Sequence, residues 1–245
     1  LAADKYLPGM LFSPGLDIYV PIDLYEMMTA NPRITSVVSE PLINITASHI
    51  SPSTANMKRL GDIVVSAIAL LFLAVPMSVI AVLVKRDSRG PVFYRQERVG
   101  YRKKKFDIIK FRTMYTDAEA GGPALATADD PRITPLGRVL RKYRIDELPQ
   151  FWNVLRGDMS LVGPRPEREF FVRKILERAP HYTLVHQVRP GITSWGMVKF
   201  GYAGSVDEML ERLRFDMLYL ENVSLAVDLK ILFYTVHTVL TGKGV

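Results

Sequence analysis

No cysteine occurs among the 245 residues, so neither disulfides nor thiolate metal centres are open to this chain. That agrees with a cytoplasmic location. Histidine is scarce too. His49, His181, His186 and His237 show no ligand spacing such as His-Glu-x-x-His, and all four are read as structural or surface residues. The formal charge of +7 comes without zinc spacing, a basic zipper or an RNA-binding signature, so no nucleic-acid partner is expected. An initiator methionine and a signal-peptide pattern are also missing, and the chain is expected to be the C-terminal part of something longer.

What the chain has in quantity is apolar surface. Hydrophobic residues make up 48% and the mean hydropathy is +0.09, high for a soluble protein. Much of this lies in one run, residues 63–84, which carries no charge and contains Pro76. As a straight helix it would be about 33 Å long, enough to cross a bilayer. Its flanks argue against that, because Lys58-Arg59 leads in and Lys85-Arg86 with Arg89 leads out. Basic flanks favour the cytoplasmic side, and here both ends make the same demand. A helix that enters, breaks at Pro76 and returns to the same face satisfies both; a straight span with Pro76 as a tolerated kink is the alternative. Ser78 is placed to satisfy carbonyls freed near the break.

Three regions emerge from composition. Residues 1–57 hold five acids against two bases, so residues 58–245 carry a net charge of +10. A basic body on a membrane element suits an anionic leaflet, an anionic substrate, or both. Within the first region, 17–20 and 35–38 are predicted short strands, 24–29 a short helix, and 45–56 a linker with Ser51-Pro52-Ser53 as breakers. The membrane element is placed at 58–86 and a catalytic domain at 87–245. In that domain residues 90–95 and 106–111 are predicted to pair as a hairpin. Helices are predicted over 135–143 (capped by Thr134, with Leu136, Val139, Leu140 and Tyr143 on one stripe), 149–157, 168–178, 206–220 and 225–240. The last is strongly apolar and suits either a core helix or one lying in the membrane interface.

Chemistry is expected first at Asp146-Glu147, between a basic helix and a helix opened by Pro149. Neighbouring arginines and free backbone amides are expected to depress the carboxylate pKa values. An ionised aspartate there can attack phosphorus or hold Mg²⁺; helix capping with surface ion pairs is the plainer reading. Pro164-Arg165-Pro166 holds a guanidinium on stiff backbone, suited to bidentate phosphate recognition; an ordinary turn before the helix at 168 is the alternative. Residues 98–112 hold seven Lys/Arg against Asp107 alone, a charge run suited to lipid headgroups or merely to solvent. Arg189, before Pro190-Gly191, is a further candidate for phosphate contact.

Together these stretches resemble the bacterial sugar transferase family, the monotopic polyprenol-phosphate phosphoglycosyl transferases. The matching residues are Lys58-Arg59-x-x-Asp62, Gly90-Pro91-Val92-Phe93, Lys110-Phe111-Arg112-Thr113-Met114, Asp146-Glu147-Leu148-Pro149-Gln150 with Asn153-Val154-Leu155, residues 157–166, and Arg189-Pro190-Gly191-Ile192-Thr193. The resemblance covers about residues 58–245. It implies an α/β, predominantly helical fold: a re-entrant membrane helix-break-helix, a small cytosolic catalytic domain with a short β-hairpin, and interfacial amphipathic helices. It implies transfer of a sugar-1-phosphate from a UDP-sugar to undecaprenyl phosphate, with release of UMP and with Mg²⁺, at the cytoplasmic face of the bacterial inner membrane. This would initiate exopolysaccharide, capsule or O-antigen assembly. Asp146 would be the nucleophile that forms a phosphosugar-aspartate intermediate, and Glu147 its metal or proton partner. Lys110, Arg141 and Arg165 would line the phosphate site. The resemblance favours UDP-glucose or UDP-galactose as donor. Residues 1–57 resemble the tail of the extra domain of larger members, which leaves a homodimer built through the upstream part open. Two other readings remain: a membrane-tethered scaffold without activity, and a conventional glycosyltransferase releasing UDP.

Overall fold

The structure, a computed structural model, describes residues 19–21, 42–44, 51–119, 122, 125 and 130–241. Ahead of the membrane element, β1 (Tyr19–Pro21) pairs antiparallel with β2 (Leu42–Asn44), Tyr19 opposite Asn44. The helix expected at 24–29 and the strand expected at 35–38 lie outside the described residues.

Helix α1 (Pro52–Asp87) is 36 residues long. The residues expected to break the chain start it instead. The Ser51 side chain accepts the Thr54 N–H at 3.1 Å and Pro52 takes the first helical turn, where its missing donor costs nothing. The bend expected at Pro76 brings no loop with it: the helical backbone runs through Pro76. Proline removes one helical hydrogen bond, that to the Phe72 carbonyl, and the apolar turns on both sides keep theirs. Ser78 Oγ donates to the Ala74 carbonyl at 2.8 Å, one turn back, and so leaves the Phe72 carbonyl unserved.

The middle of α1 is bare, with Leu71 and Phe72 76% and Val75 74% exposed. Its two ends are anchored. At the N-terminal end Asp62 Oδ1 accepts the Leu161 N–H at 3.1 Å, and Lys58 donates to the Val162 carbonyl at 2.9 Å and pairs with Asp228. At the C-terminal end Arg112 donates to the carbonyls of Val84 (3.3 Å), Ser88 (2.7 Å) and Arg89 (3.0 Å), a cationic cap on the negative end of the helix.

After α1 come β3 (Phe93–Val99) and β4 (Lys105–Phe111), an antiparallel hairpin in which Phe93 faces Phe111 and Tyr94 faces Lys110. Next are α2 (Pro135–Lys142), a 3₁₀ turn Ile145–Glu147, α3 (Gln150–Arg156), β5 (Ser160–Val162) and α4 (Glu169–Arg178). A 3₁₀ stretch Pro180–Gln187, β6 (Gly191–Thr193), α5 (Trp195–Lys199), α6 (Val206–Glu221) and α7 (Leu225–Leu240) complete the described chain. β5 and β6 pair in parallel. The fold is mostly helical, with the expected hairpin and one long apolar helix. The boundaries of the helices expected after α1 fall within a residue or two of expectation.

Apolar clusters hold the body together. One packs α4 and α6 around Ile175 and Leu213, and a second packs β4, α3, β5 and α7 around Val154, Met159 and Ile231. A third joins Val84, Phe111 and Leu140, with Met77, Ile80 and Ala81 of α1 against them, and so fastens α2 to the C-terminal half of α1. The predicted stripe on α2 divides accordingly: Leu140 is buried there, while Val139 and Tyr143 face outward.

Candidate active site

Local sequence builds the acidic turn. Thr134 accepts the Gly137 N–H at 3.0 Å and starts α2, and Arg144 then takes a left-handed conformation (φ 53°) that ends it. The chain tightens into the 3₁₀ turn carrying Asp146 and Glu147, both buried. Neither caps α3, whose N-cap is Pro149 without a side-chain bond. The capping alternative is therefore not what these carboxylates do.

Tertiary structure brings the cations to them. Asn153 of α3 grips the edge of β4: its Oδ1 accepts the Ile109 N–H at 3.0 Å and its Nδ2 donates to the Asp107 carbonyl at 2.7 Å. This sets Lys110 beside the acidic turn, where its Nζ donates to Glu147 Oε1 at 2.8 Å. Arg165 Nη2 donates to the same oxygen at 3.1 Å and the Tyr202 hydroxyl at 3.3 Å. The Tyr202 ring lies between the guanidinium groups of Arg144 and Arg165, each 4.9 Å from its centroid.

Arg165 is fixed in turn by the β5–β6 pairing. The Gly191 N–H donates to the Pro164 carbonyl at 3.0 Å and the Ser160 N–H to the Pro190 carbonyl at 2.8 Å. The two strands pass so close at Gly163 and Gly191 that a Cβ on Gly191 would stand 2.1 Å from the Gly163 nitrogen. Here the motif Arg189-Pro190-Gly191 has its role, as backbone support for Pro164-Arg165-Pro166. Arg189 itself does not join the cation cluster. Its Nε donates to the Gly157 carbonyl at 3.1 Å, beyond the end of α3, where Arg59 also binds the Val154 and Leu155 carbonyls. Arg189 is thus placed at the open end of a helix, with its Nε on the Gly157 carbonyl, apart from the other three cations.

The two adjacent acids differ sharply, which corrects the expectation that both are depressed. Burial opposes ionisation of Glu147, but Lys110, Arg165 and Arg144 outweigh it and hold this carboxyl well below the usual range. Burial pushes Asp146 up to about 6, against the pull of Lys110 and with the push of the Glu147 charge. Asp146 Oδ1 is buried with no hydrogen-bond partner among the described residues, which is why desolvation wins there. Burial also pulls the Lys110 ammonium down, with Glu147 opposing, and raises Tyr202 to about 12.

Asp146, Lys110, Arg141 and Arg165 line one cavity of ≈ 330 Å³, a size suited to a small-molecule ligand. Arg141 Nη1 is buried and unpartnered among the described residues. The cavity runs along the hairpin from Pro91 and Phe93 to Arg98, Glu119 and Arg168. On its wall Glu167 pairs with Arg98 (3.2 Å) and Arg212 (2.5 Å). Of the predicted phosphate-binding residues three converge and one, Arg189, does not. Sequence reasoning missed Tyr202, Arg144, Glu167 and Arg212. Arg144, two residues before Asp146, and Glu167, directly after Pro166, carried positional hints; Tyr202 and Arg212 come from separate elements that only packing joins.

The donor set suits a hard divalent cation. Among the described residues no group of three or more acids and histidines converges, but Mg²⁺ is commonly held by one or two carboxylates together with substrate phosphates. An unpartnered carboxylate oxygen on a cavity that Lys110, Arg141 and Arg165 also line meets that description.

The family model described as "Bacterial sugar transferase" matches residues 53–242. Among curated proteins, the chain is 46% identical over 194 residues to a UDP-N-acetylgalactosamine-undecaprenyl-phosphate N-acetylgalactosaminephosphotransferase of Aeromonas hydrophila, covering 79% of this chain and 46% of that protein. It is 36% identical over 230 residues to a UDP-glucose:undecaprenyl-phosphate glucose-1-phosphate transferase of Klebsiella pneumoniae, covering 93% and 49%. It is 40% identical over 196 residues to exopolysaccharide production protein PSS of Rhizobium leguminosarum bv. phaseoli, covering 77% and 98%. The chain thus spans about half the length of the first two and nearly all of the third.

Proposed function

The chain belongs to the bacterial sugar transferase family, and from that premise we propose that it moves a sugar-1-phosphate from a UDP-sugar to undecaprenyl phosphate, releasing UMP, to begin assembly of a lipid-linked glycan. The observation that carries this is Asp146 Oδ1, buried and unpartnered at the wall of a cavity ringed by Lys110, Arg141 and Arg165. An unpaired carboxylate oxygen is a nucleophile held ready, and fixed cations offset the charge of a diphosphate. With a pKa near 6, Asp146 is mostly ionised at neutral pH yet poorly solvated.

In this reading an Asp146 oxygen attacks the phosphorus that bears the sugar. The bond from that phosphorus to the bridging oxygen breaks, and UMP leaves with the electron pair. A phosphate oxygen of the lipid acceptor then attacks the same phosphorus, the aspartyl–phosphorus bond breaks, and the carboxylate is regenerated. Lys110, Arg141 and Arg165 hold the phosphoryl oxygens throughout. Glu147, kept ionised, holds Lys110, Arg165 and Tyr202 in place. Mg²⁺, held by Asp146 and Glu147 with the donor's phosphates, would supply further charge neutralisation.

The membrane arrangement is argued from the two anchored ends of α1. One globular body binds Lys58, Arg59 and Asp62 at one end and Val84 and Ser88 at the other, and a bilayer cannot lie between contacts to one body. This supports a helix that dips into one leaflet and returns, bent at Pro76, at the cytoplasmic face of the inner membrane. Helix α7 supports the same placement. Leu225, Leu229, Phe233 and Val236 form an exposed stripe, and the Lys58–Asp228 pair sets the first turn of α7 beside the N-terminal end of α1. An interfacial helix at headgroup level fits both facts.

The test is nucleotide release in detergent from a panel of UDP-sugars with undecaprenyl phosphate and Mg²⁺. UMP is expected, and it should vanish with Asp146→Asn. UDP instead would make the protein a conventional glycosyltransferase, and no nucleotide release a tethered scaffold. Mass spectrometry of acceptor-free enzyme should find the added sugar phosphate on Asp146; full turnover by Asp146→Asn would refute the covalent route.

A further inference from the structure

The cavity changes character along the hairpin. At about 3.4 Å per strand residue, Phe93 and Arg98 stand about 17 Å apart. The far end is polar: Gln96 Nε2 donates to Glu119 at 3.1 Å, and Arg168 holds the same carboxylate at 2.8 and 3.1 Å. The Phe93 end is apolar. The Phe93 ring stacks on Phe111 with centroids 5.4 Å apart and planes at 24°. Behind Phe111 lie Val84 and Leu140, and against these pack Met77, Ile80 and Ala81 of the apolar run. One layer of side chains therefore separates this end of the cavity from the membrane helix.

Phe93 is nonetheless 45% exposed, so its ring presents apolar area that a ligand or lipid would cover favourably. One step along the register, Tyr94 faces Lys110; that pair leaves the hairpin on the face opposite the Phe93–Phe111 stack, and all four residues line the cavity, which therefore reaches both the cation and the ring. Phosphate site, aromatic ring and membrane helix thus stand in sequence. That order matches an amphiphile with a phosphate head and a hydrocarbon chain; a nucleotide has no chain to lay there.

Resting on the function proposed above, we propose that Phe93 binds the first part of the acceptor's isoprenoid chain and so selects acceptors by chain. Its side chain gives the hydrocarbon a surface that continues from the bilayer to the phosphate cluster, and the donor's nucleotide takes the polar end.

The test compares Phe93→Ala with wild type in nanodiscs, using UDP-sugar with either undecaprenyl phosphate or a short acceptor that lacks the isoprenoid chain, methyl phosphate. The substitution should raise KM for undecaprenyl phosphate about tenfold more than it raises KM for the UDP-sugar or for the short acceptor. Equal changes in all three, or none, would overturn the assignment; the second result would mean that the ring only rests in bulk lipid. Should Phe93→Ala fail to fold, a diazirine-bearing polyprenyl phosphate on the wild-type chain decides the matter, because photolabelling needs no turnover. Label on residues 91–93 is expected, and label confined to 225–240 would refute it. A wild-type enzyme that releases no UMP without acceptor would count against the covalent route, and the photolabel would still judge Phe93.

Discussion

Removing the charge from each of the two adjacent acids should shift stability in opposite directions, although both are buried in one turn. Asp146 titrates near 6 in the fold against 3.8 unfolded. A carboxyl with a raised pKa keeps its proton in the fold while the unfolded chain releases it, so ionisation costs stability as pH rises between those values. At pH 7.5 that cost is fully present, about 3 kcal/mol at about 1.4 kcal/mol per unit. Asp146→Asn removes it, and for a domain of this size should raise Tm by about 5–10 °C. Glu147→Gln does the reverse. Glu147 Oε1 takes Lys110, Arg165 and Tyr202, and neutralising it leaves two buried cations without their counter-charge. Breaking one side of a buried pair costs about 3–5 kcal/mol, so Tm should fall by about 10 °C. The assay is thermal unfolding in detergent, free of metal and substrate, from pH 7.5 to 5. The Asp146→Asn gain should shrink toward pH 5, as the wild-type carboxyl takes up its proton. Equal losses for both variants, or a gain independent of pH, would refute this electrostatic reasoning.

Three further outcomes are expected. Gly90→Ala should lower Tm and activity together, because Gly90 has φ 130° and a Cβ there would stand 2.0 Å from Arg112 Nη1, displacing the cap on α1; normal melting in that variant would refute the cap. Burial, then Lys103, lowers His186 to about 4, so stability present above pH 6.5 should fall by about 3 kcal/mol as pH drops to 4. His186→Phe should flatten that slope in acid-unfolding curves, and an unchanged slope would show that other groups drive it. Single cysteines at Met57 and Ser88, in a chain with no native cysteine, should label from the same side of the membrane; labelling from opposite sides would establish a straight span.

Local signals carried much of the fold. Thr134 before Pro135 placed the start of α2, and the turn residues Gly90-Pro91 and Gly100 announced the hairpin, because caps, proline and glycine act over a few residues. The same locality misled at Ser51-Pro52, a pair that serves as a breaker or as a helix start according to the residues after it.

The sequence by itself determined that an apolar helix with basic ends precedes a basic body, and that the Asp146-Glu147 pair and Arg165 are its chemically loaded positions. Tertiary structure alone decided how they work. Lys110 reaches Glu147 only because Asn153 pins the edge of β4, and Arg165 is aimed only because Gly163 and Gly191 let two strands touch. Arg189, equally basic in the sequence, is drawn instead to the carbonyl of Gly157. Which neighbouring acid stays ionised and which is left bare is a matter of desolvation and of partners from distant elements, and neither exists until the chain has packed.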